Sequence, residues 1–218
     1  YLVHGDMADG GSLYHAINTY DPDDVYNLAG QTHVQVSFAA PELSANVNAL
    51  GVLRLLEILR ARQGHKQVRF LQASTSELFG NEPAPQSETT PMSPRSPYAI
   101  AKHYAYQMTR MYREAYGMYA ANAIMFNHES PVRGEDFVTQ KIIRGVCRTQ
   151  QDLSYILELG NLDARRDWSH AADIMRGVRA IMAQPTASDY VLASGQGRSV
   201  REFVTAAFDV AGHKIIWS

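Results

Sequence analysis

Short apolar runs alternate along this chain with stretches in which apolar residues recur every three to four positions. That alternation predicts strand–helix–strand units built around a parallel sheet. Residues 25–29 and 68–73 are expected to be buried strands. Between them, residues 41–62 carry Val52, Leu55, Leu56 and Leu59 at helical spacing, long enough for a packed crossover helix. Residues 82–97 are rich in Pro, Ser and Thr and read as a surface loop leading into a helix. Ser96 suits the N-cap of that helix and Pro97 its first position, where a missing N–H costs no bond; Gly117 supplies the stop. A strand over 120–126, a polar loop and an amphipathic helix through Ile142, Ile143 and Val146 follow. Beyond Gln150 the segments shorten: a strand at 155–159, a helix near 170–182 and a strand at 190–193. A last helix opens with Ser199-Val-Arg-Glu202, the spacing of a capping box. No internal repeat or low-complexity tract interrupts the pattern.

Composition changes this picture little. An apolar fraction of 45% and a charged fraction of 19% are ordinary for a soluble globular chain of 218 residues. The formal net charge of −2 gives no reason to expect nucleic acid or an anionic membrane as a partner, so an anionic ligand must be gripped by local groups. The single Cys147 forms no internal disulfide, and no apolar run reaches membrane-spanning length; the cytoplasm is the expected compartment. No metal site is expected. The chain opens on Tyr1-Leu2-Val3, which reads as a strand already under way and as the mark of a fragment.

Two elements carry candidate chemistry. In Tyr98-Ala-Ile-Ala-Lys102 the two polar side chains are one helical turn apart and share a face. An ammonium beside a phenol stabilises the phenolate, which makes Tyr98 a usable base for a sugar hydroxyl. The bland alternative is a buried Tyr beside a Lys that reaches for water. The second element, Ala73-Ser74-Thr75-Ser76-Glu77, directly follows a buried strand and puts a hydroxyl and a carboxylate where parallel sheets hold ligands. A capped turn is the alternative there. Gly195-Gln-Gly197 lacks the third glycine of a phosphate loop and reads as a turn before the capped helix.

A strand ending in Ser-Thr-Ser-Glu, followed by Tyr-x-x-x-Lys, resembles the extended short-chain dehydrogenase/reductase superfamily. Glu77 stands where sugar epimerases carry a small or hydroxylated residue and dehydratases carry glutamate, and Ser76 before it is similar to the GDP-mannose 4,6-dehydratase family. The stretches Asn27-Leu-Ala-Gly-Gln-Thr-His-Val34, Pro94-Arg-Ser-Pro-Tyr98, Phe126-Asn-His-Glu-Ser-Pro131 and Arg166-Asp-Trp168 resemble that family too, so the similarity runs over essentially the whole chain.

The resemblance implies a lyase that converts GDP-mannose to GDP-4-keto-6-deoxymannose by internal hydride transfer through NADP. Thr75 would bind the C4 hydroxyl, Tyr98 would take its proton, and Glu77 would remove the C5 proton and protonate the departing C6 hydroxyl. Lys102 would assist Tyr98 and bind the nicotinamide ribose. Asp6 and Met7 would lie beside the adenine, and the turn of Leu28, Ala29, Gly30, Gln31 and Thr32 over the cofactor. His128 and Arg133 match later cofactor contacts, although a single His in a polar loop is commonly structural. Asn127, Lys141 and Arg166 match groups near the GDP diphosphate, with Arg165 as a rival to Arg166.

The expected fold is a doubly wound α/β parallel sheet of Rossmann type, incomplete at the N-terminus, with a small substrate-binding lobe. Residues 1–150 would be an incomplete dinucleotide-binding domain, and 151–218 part of the lobe mixed with late sheet elements. A homo-oligomer, dimer or tetramer, is implied. Three departures from the family stand out: its opening Gly-x-x-Gly-x-x-Gly segment is absent, Leu43 replaces a tyrosine, and Val132 replaces an arginine. A nucleotide-sugar epimerase or reductase of the same superfamily, and a non-catalytic fragment, are the alternatives.

Overall fold

The computed structural model describes residues 1–152 and 154–217. In chain order the elements begin with α1 (Gly10–Tyr20), β1 (Asp24–Asn27), α2 (Val34–Ala39) and α3 (Pro41–Ala45). A π-helical turn (Asn46–Leu50) leads into α4 (Gly51–Arg62), followed by β2 (Arg69–Thr75) and a 3₁₀ turn (Ser76–Leu78). Then come α5 (Pro97–Tyr116), β3 (Ala120–Met125), β4 (Asn127–Glu129), α6 (Val138–Thr149) and β5 (Arg165–His170). The last elements are α7 (Ala171–Met182), β6 (Asp189–Leu192), β7 (Gly197–Ser199) and α8 (Val200–Val210).

The chain divides into two compact units, residues 1–125 with 175–192, and residues 126–174 with 193–218. Residue 150 lies within the second. The first unit is built on a parallel sheet in the order β1-β2-β3-β6. β3 is buried throughout and β2 nearly so, as central strands of a parallel sheet must be. The helical face read from the sequence packs here: Val52, Leu55, Leu56 and Leu59 of α4 meet Phe70, Ala105, Tyr112 and Ala120. At the far end of the sheet Arg113 pairs with Asp189 at 3.0 Å, and Tyr106 and Asn122 also donate to that carboxylate.

The second unit carries the three-stranded sheet β4-β5-β7, with β4 parallel and β7 antiparallel to β5. Its core joins Ile142 and Val146 of α6 to Val200 and Val204 of α8, with Trp168 and Phe203 against them. The capping box that opens α8 is formed in both directions, Ser199 with Glu202.

Several expectations are corrected. The strand expected to be buried over 25–29 is an edge strand in which only Asn27 is buried. The helix expected over 41–62 is a continuous helical run with a π turn inside it. No strand forms over 155–159; alternate residues there are half-buried, but the segment has no ladder partner among the described residues. Tyr1-Leu2-Val3 is exposed and not part of a strand. Among the described residues, no helix is long and apolar enough to cross a membrane.

Candidate active site

In the first unit the site grows from the C-terminal end of β2. Thr75 caps the 3₁₀ turn: its Oγ1 accepts a hydrogen bond from Glu77 N at 3.2 Å. The capping role and a chemical role are therefore compatible, because the cap fixes the Thr75 hydroxyl and the Glu77 backbone as one piece. Leu78 and Phe79 are fully buried and anchor the turn from below, while Glu77 is half-buried. Gly80 has φ +59°, and a Cβ there would lie 2.0 Å from Ser93 O, so only glycine fits. Ser93 N in turn donates to Leu78 O at 2.8 Å, which brings the loop over 81–96 back to its own start.

That loop delivers α5. Ser96 Oγ accepts from Ala99 N at 3.0 Å, and Pro97 occupies the first turn, as the sequence predicts. Tyr98 and Lys102 are both buried, at 8% and 5% exposure. Lys102 Nζ donates to Ala73 O at 3.1 Å, which ties the helix to β2 two residues before Thr75. The same carbonyl accepts from Gln72 Nε2 at 2.7 Å, and Gln72 Oε1 accepts from Asn27 Nδ2 at 2.8 Å. Burial lowers the Lys102 pKa from 10.5 to about 8, because a desolvated ammonium is disfavoured.

The turn of residues 28–32 is brought to the same ammonium. A Cβ on Gly30 would lie 3.5 Å from Lys102 Nζ and 2.8 Å from Asn48 Oδ1, so the backbone passes too close for any side chain. Asn48 clamps the turn twice: Oδ1 accepts from Gln31 N at 2.9 Å, and Nδ2 donates to Gln31 O at 2.8 Å. It does so from the π turn, at 1% exposure. Asn48 went unpredicted; its one signal is an amide between apolar Val47 and Ala49 in a helical stretch. Met7 belongs to the core, where its carbonyl accepts from Arg54 Nη1 at 3.0 Å; Asp6 is exposed and accepts from Ala8 N. Thus Thr75, Glu77, Tyr98, Lys102 and the 28–32 turn form one constellation, with Met7 held by Arg54 of α4 and Asp6 by Ser12 of α1.

These residues fit the nicotinamide half of a dinucleotide. The buried Lys102 ammonium has one acceptor among the described residues, which leaves N–H groups for a hydroxylated ring. The pyrophosphate half is another matter. α1 opens on Gly10 and Gly11, but the Asp9 carboxylate already accepts from Gly11 N and Ser12 N, so this helix start is closed by the chain's own anion.

In the second unit, His128 Nδ1 lies 2.9 Å from Phe126 O and must carry the proton of that bond. Arg133 stacks 3.5 Å from the Phe137 ring centroid and pairs with Glu129 at 3.3 Å, which also accepts from Thr139 Oγ1. The β4–β5 register pairs Asn127 with Trp168, so Asn127 and Arg166, two residues earlier, share a face of that sheet. Arg165 is committed elsewhere, donating to Gly197 O and pairing with Glu202. Arg166 is exposed and makes no ion pair among the described residues; its Nη1 donates to Arg165 O. Lys141 is exposed on α6.

Comparison with known proteins gives the family and the fold. The family model described as GDP-mannose 4,6 dehydratase matches residues 1–218. The Sordaria araneosa protein named GDP-mannose 4,6-dehydratase sdnI is 56% identical over 218 residues, 100% of this chain and 40% of the relative. The Drosophila melanogaster GDP-mannose 4,6 dehydratase is 51% identical over 217 residues, 99% of this chain and 55% of the relative. The chain therefore spans about half the length of these relatives. Among solved structures, RMD from Pseudomonas aeruginosa complexed with NADPH superposes with a TM-score of 0.90 at 29% identity, covering 98% of this chain and 74% of that one. DesIV, a dTDP-glucose 4,6-dehydratase from Streptomyces venezuelae with NAD and TYD bound, gives 0.84 at 25% identity, covering 97% and 64%.

Proposed function

Because this chain belongs to the GDP-mannose 4,6-dehydratase family, we propose that it carries the catalytic groups of a lyase that dehydrates GDP-mannose to GDP-4-keto-6-deoxymannose with NADP. The observation that carries the reading is the fixed Thr75–Glu77 turn beside the buried Tyr98–Lys102 pair.

The chemistry that a bound nicotinamide dinucleotide supplies here is reversible two-electron oxidation of the sugar. Lys102, with the 28–32 turn, would hold its nicotinamide end and Asp6 and Met7 would lie at its adenine end; His128 and Arg133 are assigned to the cofactor on family resemblance. Thr75 Oγ1 orients the C4 hydroxyl, and Tyr98 Oη takes the proton from it, aided by the Lys102 ammonium. A ketone at C4 acidifies the C5 hydrogen. Glu77 removes that proton and delivers one to the C6 oxygen, which leaves as water; the C5=C6 bond so formed would take back the hydride at C6 and a solvent-derived proton at C5, giving the 6-deoxy ketone. One carboxylate serves both steps because it gains at C5 what it gives at C6. Asn127, Lys141 and Arg166 are the groups we assign to the diphosphate, where the planar guanidinium of Arg166 can bind two oxygens at once. The preference for NADP over NAD rests on family resemblance. A homo-oligomer, dimer or tetramer, in the cytoplasm is the proposed working form; exposed Ile100 and Tyr104, one turn apart on α5, support self-association.

Glu77 separates dehydration from epimerisation, so Glu77→Gln tests the reading. Joined to a relative's glycine-containing N-terminal unit and supplied with NADP and GDP-mannose in deuterated water, the variant is expected to bind the nucleotide sugar but, unlike the same protein with Glu77, to release no 4-keto-6-deoxy product and to place no deuterium at C5. Wild-type deuterium incorporation and turnover in the variant would remove Glu77 from the mechanism.

A further inference from the structure

The function proposed above uses the Arg166-Asp167-Trp168 stretch only in part. Arg166 is assigned to the diphosphate and Trp168 packs against Phe203 at 5.2 Å between ring centroids, while Asp167 has no role. Its carboxylate holds the turn that precedes β7. Oδ1 accepts from Ser194 N at 2.9 Å and Oδ2 accepts from Gln196 N at 3.0 Å. Gly195 between them has φ +77°, a left-handed residue that lets neighbouring N–H groups converge on one anion. The glycine turn that resembles a phosphate loop is therefore an anion cradle, and the anion in it belongs to the chain.

This matters for Arg166 because of where the ladder stops. β5 and β7 pair over three positions only, Arg165↔Ser199, Arg166↔Arg198 and Asp167↔Gly197. Beyond Gly197 no backbone pair continues, and the two charge-assisted bonds of Asp167 take over. Both neighbours of Arg166 are thus tied to the β7 strand or its turn, Arg165 through Gly197 O and Asp167 through Ser194 and Gln196, and Arg165 also pairs with Glu202 of α8. Strand alternation puts the Arg166 side chain on the opposite face, the one it shares with Asn127. We propose that Asp167 is a positioning residue: by holding the Ser194–Gln196 turn it fixes the strand from which Arg166 meets the diphosphate of the nucleotide ligand. This rests on the assignment of Arg166 made above.

The experiment is a double-mutant cycle read by calorimetric titration of GDP into the wild-type protein, Asp167→Asn, Arg166→Ala and the double variant. An asparagine can accept from one of the two N–H groups but presents a donor to the other, so Asp167→Asn is expected to weaken GDP binding roughly tenfold. Arg166→Ala is expected to weaken it at least as much, and Asp167→Asn is expected to add nothing in the Arg166→Ala background, since no guanidinium is left to place. If Arg166→Ala loses affinity while Asp167→Asn keeps it, or if the two losses add in full, the positioning role is overturned. If Arg166→Ala binds GDP as the wild type does, the assignment of Arg166 itself is wrong, and the proposal falls with it. Should Asp167→Asn not fold, Asp167→Glu keeps the charge with a displaced carboxylate, and the same non-additivity with Arg166→Ala is required of it.

Discussion

Burial of the Lys102 ammonium is expected to weaken the fold at the place where the proposed site is built. Its ammonium is buried, and Ala73 O is its one acceptor among the described residues, so desolvation brings its pKa down to about 8. In the unfolded chain the same group titrates near 10.5, so between those two values the unfolded state binds more protons and stability rises with pH. Below about pH 8 the folded state bears the full cost of the buried charge, on the order of 3 kcal/mol. Lys102→Met is therefore expected to melt at a higher temperature than the wild type at pH 7, with the advantage shrinking as pH rises from about 8 towards 10.5. Ala73 O keeps its bond from Gln72 in that variant, so no carbonyl is stranded. Thermal melts of both proteins at pH 7 and pH 10 check this. A variant less stable at pH 7 would mean that the ammonium has further partners and is a structural group. The same substitution should abolish turnover, the trade expected of a residue kept for function.

At the level of elements, the turn from β2 through Gly80 decides whether Glu77 and Tyr98 face a common space. Gly80→Ala combines a left-handed backbone with a Cβ 2.0 Å from Ser93 O. Gly117 offers the control: it has φ +64° with nothing within 4 Å of the added Cβ. Gly117→Ala should cost roughly 1–2 kcal/mol, the ordinary penalty of the left-handed region, and Gly80→Ala clearly more. Denaturant melts of the two variants give the comparison, and equal losses would mean that the loop over 81–96 does not close on the turn. How far each element was legible follows from how its stability is achieved. α5 announced itself through the Ser96 cap, Pro97 and Gly117, all local chemistry, and β2 and β3 through unbroken burial. β5, with the sequence Arg-Arg-Asp-Trp-Ser-His, and its neighbours β4 and β7 have no apolar alternation; they are held by Asp167, Arg165 and the Glu202 network, which no periodicity records. Within the site, Tyr98, Lys102, Thr75 and Glu77 were visible as motifs. Asn48 was not, because its role depends on a π turn that brings it against Gln31, seventeen residues away in sequence.

Cofactor affinity belongs to the whole molecule, because a dinucleotide touches several elements at once. Its pyrophosphate is normally held at a helix N-terminus, where unpaired N–H groups and the helix dipole favour anions and glycines permit close approach. Among the described residues the helix that opens with paired glycines, α1, has given those N–H groups to Asp9. The groups proposed for the nicotinamide end, by contrast, are held in place: the Lys102 ammonium by Ala73 O and the 28–32 turn by Asn48. β1 is an outer strand with Tyr26 exposed on it and Leu28 exposed in the turn that follows, so among the described residues the sheet presents an unpaired edge beside that turn. The 218-residue chain by itself is therefore expected to bind NADP with a dissociation constant no better than roughly millimolar, about −4 kcal/mol. Joining a relative's glycine-containing strand–helix–strand unit, about 50 residues, ahead of Tyr1 should both pair the β1 edge and add phosphate contacts to the 218-residue chain. Binding is then expected to tighten by at least a hundredfold, together with a gain in solubility. Calorimetric titration of NADP into the two proteins measures this directly. Micromolar binding by the 218-residue chain would overturn the expectation, and would mean that the pyrophosphate is held by contacts other than a helix terminus.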